Sequence, residues 1–333
     1  MNKRMIALGL SCWWCSSALA GEKIELLNAS YDVSRQLFAQ INPAFQSHWR
    51  AQTGQNIEIR QSHGGSSKQA RAVAEGLQAD VVTFNQATDI QFLVKSGLVQ
   101  SDWSSRLPNS ASPYYSFPVL LVRAGNPKHI SDWGDLAKPG VQVIFPNPKT
   151  SGNGRYTYLA AYAYALSRNS SDETKARAFL GQMLANVPVF DTGGRGATTT
   201  FVERQIGDVL ITFESELATI RHEYEKVGLQ VIYPSLSLQA DFPVAVVDAV
   251  VNRRGTRAAA EAYLQYLYSD AGQEVLAQNY NRVRNEAVLA RHRAQFPDVR
   301  LTSVERAFGN WESVNKVHFT EGGVLDQLLG ARR

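Results

Sequence analysis

Four short stretches of this chain carry the residue types of an anion cradle. They are Ser30 to Ser34 (SYDVS), Ser62 to Ser67 (SHGGSS), Thr150 to Arg155 (TSGNGR) and Thr192 to Thr198 (TGGRGAT). Glycine has no Cβ, so main-chain amides can approach a ligand closely. Successive amides in such a turn form a concave nest for an anion. Serine and threonine hydroxyls add donors with little bulk. Brought together, the four turns would offer many donors and few acceptors, which suits a small, fully deprotonated oxyanion. One turn of this kind ahead of a helix is ordinarily an N-cap and a tight bend, and spacing alone does not bring four of them to one place.

Other chemistries find less support. Gly64-Gly65-Ser66-Ser67-Lys68 has the wrong spacing for a GxxxxGK[ST] phosphate loop, and no GxGxxG fingerprint follows the first strand. Gly152-Asn153-Gly154 and Gly194-Arg195-Gly196 lack the third glycine. The hydrolase alternative places Ser66 or Ser151 as nucleophile with His63 as base. No GxSxG elbow accompanies them, and a histidine ahead of two glycines more often orders a loop. His48, His129, His222, His292 and His318 are scattered, with no HxH or HxxxH pair for a metal. No cofactor is expected. Glu214 and Glu216 follow a strand, where acidic residues are usually solvated or cap a helix. Lys68, Lys149, Arg155 and Arg195 lie in or beside the turns. They act either on the ligand's field or in local ion pairs, with Asp191 as one partner.

The turns are punctuation between strands and helices. Ile24 to Leu27 reads as a strand, followed by apolar residues at Leu37, Ile41, Phe45 and Trp49, four apart, on one helix face. Pro43 should kink that helix or start a second one. Asn56 to Arg60 alternates as a strand and leads into the second turn, and Ala70, Val73, Ala74 and Leu77 mark the next helix. Further strands are expected at Asp80 to Phe84, Val141 to Phe145 and Asp208 to Phe213, with a helix from about Tyr156 to Leu166. Strands alternating with helices imply an α/β architecture with largely parallel sheets. In such sheets ligands bind beyond the carboxyl ends of the strands, where all four turns fall. Those turns also open helices, whose first amides and dipole favour an anion. Phe117-Pro118 and Phe242-Pro243 each precede a β-branched strand and read as crossings between two lobes.

The first twenty of the 333 residues read as a secretory signal peptide. Lys3 and Arg4 precede an apolar run, and Ala18-Leu19-Ala20 is a small-x-small cleavage site before Gly21. Cys12 after Leu10-Ser11 raises a lipoprotein alternative, although Gly9 stands where leucine is usual. Both cysteines, Cys12 and Cys15, fall in this segment, so the mature chain is expected to form no disulfide or zinc-thiolate site. Of the 34 basic residues, two fall there as well, leaving 32 against 30 acidic. That balance, without a basic block, argues against nucleic acid. No later run is long and apolar enough for membrane insertion.

Longer stretches carry a resemblance. SYDVSR, QSHGGSSKQA, FPNPKTSGNGRYTYLAA, DTGGRGATTTF, GDVLITFESE and DFPVAVVD, in this order, resemble the periplasmic sulfate- and thiosulfate-binding receptors of ABC importers. The resemblance covers nearly the whole mature chain. It implies a type II two-lobed periplasmic-binding-protein fold, α/β, with the ligand cleft between lobes joined by hinge strands. Residues 21–115 would begin lobe I, 116–243 form lobe II, and 244–333 return to lobe I with helices packing across both. It further implies a monomer that captures a sulfur oxyanion, performs no chemistry and delivers its cargo to an inner-membrane ABC permease. The expected ligand groups are the amides of Asp32, Gly152, Asn153 and Gly194 and the hydroxyls of Ser66 and Ser151. His63, Arg155 and Arg195 would act from behind them. The sulfate-specific branch carries a tryptophan at the position of Phe213 and SGG in place of TSGN. Both departures point toward thiosulfate, whose sulfur is a poorer acceptor than oxygen and suits an apolar wall. Another tetrahedral oxyanion such as molybdate is the alternative ligand.

Overall fold

The computed structural model describes residues 24–331. The segment expected to be a signal peptide, with its two cysteines, lies outside the described residues. The strands, in chain order, are β1 (Ile24–Tyr31), β2 (Ile57–Gly64), β3 (Val81–Thr83), β4 (Tyr114–Ser116), β5 (Pro118–Val122), β6 (Val143–Ile144), β7 (Val209–Phe213), β8 (Gln230–Ile232), β9 (Ser237–Leu238), β10 (Ala240–Phe242), β11 (Val244–Val246), β12 (Arg282–Val283) and β13 (Leu301–Thr302). A first four-stranded sheet has the order β11-β3-β1-β2 and a second the order β6-β7-β5-β8. Pairing is parallel within β3-β1-β2 and between β6 and β7; β11 pairs antiparallel with β3, and β5 antiparallel with β7 and β8.

Helices cover the sheets because the strands are apolar on both faces. All five residues of β5 are buried. Val119 and Leu121 join a cluster with Phe201, Leu210 and Ile220, while Leu120 and Val122 face the larger cluster on the opposite side, as the period of two requires. On the first sheet, Ala29 and Val82 pack with Ala70 and Val73 of the helix Ser66–Ala74 and with Ile90 and Leu93 of the helix Ala87–Lys95.

Between the sheets the chain crosses twice, through strands that pair with each other. β4 runs directly into β5 and β10 into β11, and β4 and β10 form a small antiparallel sheet closed by β12. The aromatic-proline pairs stand at these junctions: Phe117 and Phe242 are fully buried, and Pro118 opens β5.

Several boundaries differ from those expected. One helix, Arg35–Thr53, continues through Pro43. The proline removes a single main-chain donor, while Leu37, Phe38, Ile41, Phe45 and Trp49 stay buried on one face and hold both halves. Gly54, at φ 72°, closes it by donating to the Arg50 carbonyl, the left-handed cap that glycine favours. β2 extends through His63 to Gly64, because β1 continues beside it to Tyr31. The helix expected from Tyr156 begins at Gly152 and reaches Arg168.

Candidate functional site

Each glycine-serine turn becomes the start of a helix. Ser66 is the first residue of Ser66–Ala74, Gly152 of Gly152–Arg168 and Gly194 of Gly194–Val202. Asp32 opens a short 3-10 turn, Asp32–Ser34, that leads into Arg35–Thr53. The first amides of a helix have no partner within it, so every turn presents main-chain donors with the positive end of the dipole behind them.

Contacts between the two halves bring these starts together. A Cβ on Gly65 would lie 2.7 Å from the Thr150 carbonyl oxygen and 3.3 Å from that of Thr192. A Cβ on Gly152 would collide with Asn85 at 2.0 Å, and one on Gly193 with Asp32 Oδ2 at 2.3 Å. The main-chain N–H of Arg195 donates to Asp32 Oδ2 at 3.2 Å, and Gln36 Nε2 donates to Glu223 Oε1 at 3.0 Å. Glycine is required at 65, 152 and 193 by packing: the turns from the first sheet press directly against those of the second.

The surroundings are dry. Ser66 is wholly buried, and Ser151 and Asn153 are 2% exposed. Ser66 Oγ makes no hydrogen bond of ordinary geometry, although it lies close enough to the Asp89 carboxyl to favour its charged form; buried hydroxyls nearly always find a partner. Ser151 caps its helix by accepting from the Gly154 amide at 3.5 Å. Its hydroxyl proton is not used by that bond.

Asn153 sits at the centre of a polar network that the sequence did not announce. Its Nδ2 donates to Glu216 Oε1 at 2.9 Å and to Thr212 Oγ1 at 3.4 Å, and Thr157 donates to its Oδ1 at 3.3 Å. Burial pushes the Glu216 carboxyl up to about 7, aided by the nearby charge of Asp32 and opposed by Thr212 and Asn153. The Asp32 carboxyl is also raised by burial, against the pull of the Arg195 and Val33 amides. Glu214 and Glu216, expected to be solvated or to cap a helix, are instead 0% and 5% exposed. Glu214 finds Arg282, which lies 68 positions away in sequence, as its partner.

The remaining expected residues take varied places. Phe213 ends β7 fully buried, with ring centroids 5.9 Å from Tyr156 and 5.3 Å from Phe242. His63 Nδ1 lies 3.4 Å from the Tyr31 carbonyl oxygen. Burial, with Arg35 nearby, lowers its pKa to about 4, so it is neutral at neutral pH and ties β2 to the end of β1. Arg155 donates to the Pro148 carbonyl at 3.0 Å and lies 5.0 Å over the Phe319 ring. Arg195 turns outward to Glu223 at 3.6 Å, and Lys149 to Asp326 at 2.5 Å. Two residues not singled out in the sequence stand beside the expected ones. Asn85 faces Gly152, and Asp89 accepts from Ser67 at 2.8 Å and from Gln86 at 2.7 Å. An asparagine following a strand carries no local signal for such a contact. Among the described residues no group of three or more His, Cys, Asp or Glu side chains is placed to hold a metal ion.

Comparison with known proteins gives a consistent picture. A family model described as bacterial extracellular solute-binding protein matches residues 26–280. The chain is 58% identical over 304 residues to a thiosulfate-binding protein of Pseudomonas aeruginosa, covering 91% of each. It is 48% identical to a sulfate-binding protein of Escherichia coli, covering 98% of this chain and 99% of that one. Among solved structures it is similar to the sulfate-binding protein SubI from Mycobacterium tuberculosis, with a TM-score of 0.80 and 31% identity, covering 88% of this chain and 98% of the other.

Proposed function

The chain belongs to the bacterial extracellular solute-binding proteins, and from that premise we propose that it captures thiosulfate, and sulfate as well, and delivers it to an ABC transporter for sulfur uptake. The resemblance read from the motifs and the α/β binding-protein fold it implied are both borne out by these relatives. The observation that carries the reading is the pressing together of turns from both sheets at Gly65, Gly152 and Gly193. It gathers several helix starts around buried hydroxyls and leaves Ser66 Oγ without a hydrogen bond of ordinary geometry.

In this reading the ligand is held by the amides of Asp32, Gly152, Asn153 and Gly194 and by the hydroxyls of Ser66 and Ser151. Each hydrogen bond to a charged group contributes about 1.5–3 kcal/mol, so six supply roughly 9–18 kcal/mol gross. Association and closure cost on the order of 4–15 kcal/mol. A micromolar receptor needs only about −8 kcal/mol net. A donor-only cradle selects by protonation, because phosphate carries a proton that needs an acceptor. Phe213 provides an apolar wall with no donor, which suits the thiosulfate sulfur. The halves separate and close about the paired crossings β4 and β10. The mature protein works as a periplasmic monomer after its leader is removed.

Calorimetric titration of the purified mature protein with thiosulfate, sulfate, molybdate and phosphate at neutral pH tests this. The expected order is thiosulfate first, then sulfate, with phosphate weak. Phosphate binding as tight as thiosulfate would refute the donor-only cradle. A His63→Ala variant is expected to keep most of its affinity, since that side chain bonds only to the Tyr31 carbonyl.

A further inference from the structure

A cavity of about 310 Å³ lies between the halves, lined by Ser67, Arg71 and Asp89 from the first and Arg155 from the second, with Phe92 and Phe319 among its walls. It runs along the first turns of Ser66–Ala74 and Gly152–Arg168, the helices whose N-termini serve the candidate site. Its charge is unusual. Arg71 and Arg155 are close enough for Arg71 to disfavour the charge on Arg155. Among the described residues neither guanidinium has a carboxylate within 4.0 Å. Asp89, the acid in the cavity wall, has both oxygens occupied by Ser67 and Gln86. Burial raises its carboxyl above the usual range, opposed by Ser66, the Arg155 charge, Gln86 and Ser67.

Asp89 acts on Arg155 more strongly than Arg71 does, but two guanidinia facing one carboxylate still leave the cavity with surplus positive charge, and an anion compensates it. At about 30 Å³ per water in the liquid, the cavity holds a dianion together with much of its hydration. It is therefore suited to an encounter and not to the dry, final hold. The aromatic walls Phe92 and Phe319 are low-dielectric surfaces that focus the field of the guanidinia. Phe92 is 42% exposed at the rim.

We propose that this cavity is an antechamber in which the arriving sulfur oxyanion is first received between Arg71 and Arg155 before passing to the helix starts. The proposal rests on the receptor reading above. Arg71 acts as a steering residue: it speeds capture and makes no contact with the bound anion. Arg155 shares the field but also supports the Pro148 carbonyl and Phe319, so Arg71, exposed at the rim, is the cleaner probe.

The test is stopped-flow binding of thiosulfate by the mature protein at several salt concentrations, with Arg71→Gln and Arg71→Glu beside the native chain. Association is expected to slow by about threefold for Arg71→Gln and about tenfold for Arg71→Glu, within the range known for electrostatic steering. The salt dependence should flatten for Arg71→Gln, and the dissociation rate should stay unchanged in both. Unchanged association rates and salt slopes would overturn the antechamber. So would a loss carried by faster dissociation, which would make Arg71 a direct ligand contact. A native protein that fails to bind thiosulfate at all would instead sink the receptor reading, and circular dichroism of both variants checks that they fold.

Discussion

Arg282 holds Glu214 with two parallel hydrogen bonds, Nε to Oε2 at 2.7 Å and Nη2 to Oε1 at 2.9 Å. The pair links the residue after β7 to the strand that closes the crossing sheet. The guanidinium also lies 4.8 Å over the Phe117 ring and donates to the Pro297 carbonyl at 2.7 Å. Removing one partner of a buried pair leaves an uncompensated charge and costs about 3–5 kcal/mol. Arg282→Leu should lose that much stability in urea unfolding at pH 7. The loss should shrink as pH is lowered, because burial holds the Glu214 carboxyl above its ordinary range and protonation removes the unpaired charge. A loss below about 1 kcal/mol would mean that the pair only offsets its own desolvation.

Glu216 makes stability depend on pH in the opposite sense from an ordinary ion-paired carboxylate. Its folded-state value is about 7 against 4.5 for the free side chain. Between those values the folded chain holds a proton that the unfolded chain has released, so stability falls as pH rises through that window. At 1.36 kcal/mol per pKa unit, the full contribution is roughly 3 kcal/mol. Glu216→Gln keeps an acceptor for Asn153 and removes the titration. The variant should gain stability relative to the native chain at pH 8 and show little difference at pH 4. Parallel unfolding midpoints for the two proteins across that range would exclude Glu216 as the source.

Ser66 offers a direct test of one proposed ligand contact. Its hydroxyl is buried with no hydrogen bond of ordinary geometry and only the nearby Asp89 carboxyl to act on, so Ser66→Ala should shift the melting temperature of the ligand-free protein only slightly. Thiosulfate affinity should drop by the equivalent of about 1.5–3 kcal/mol, seen in calorimetry as a ten- to hundredfold larger Kd at about 1.4 kcal/mol per decade.

Gly65 tests closure without touching a donor. Its φ of −53° is available to any residue, so alanine is not strained there by its own backbone. The new methyl would stand 2.7 Å from the Thr150 carbonyl oxygen and prevent the halves from meeting. Gly65→Ala should weaken thiosulfate binding about tenfold or more while sparing the ligand-free fold. Native-like affinity would show that the halves can close around the methyl.

Phe213 tests ligand choice. Phe213→Trp supplies an indole N–H at the end of β7, in a wall already packed by Tyr156 and Phe242. Overpacking should cost about 1–3 kcal/mol of stability, while sulfate affinity rises relative to thiosulfate. An unchanged ratio of the two would remove the wall from the account of selectivity.

The turns and strands were legible because each is written locally. Apolar runs bounded by glycine and serine mark strand ends, and helix faces repeat every three to four residues. The pairing of Asn153 with Glu216 and of Glu214 with Arg282 was not legible, since each joins residues more than sixty positions apart. Nothing in a local window distinguishes a buried glutamate from a solvated one. No second helix starts at Pro43, because the local rule counts one lost hydrogen bond whereas the buried faces of Phe38, Ile41, Phe45 and Trp49 keep Arg35–Thr53 one helix.

The edge of the first sheet has a consequence for assembly. β3 is flanked by β1 on one side and by β11 on the other, with Val82 opposite Ala245. During synthesis the first sheet therefore lacks its last strand until the whole second sheet has been made. The second sheet uses only strands from β5 to β8, so it can form while β3 still waits with one edge open. An open edge is a template for wrong pairing, and this one stays open until β11 has been made.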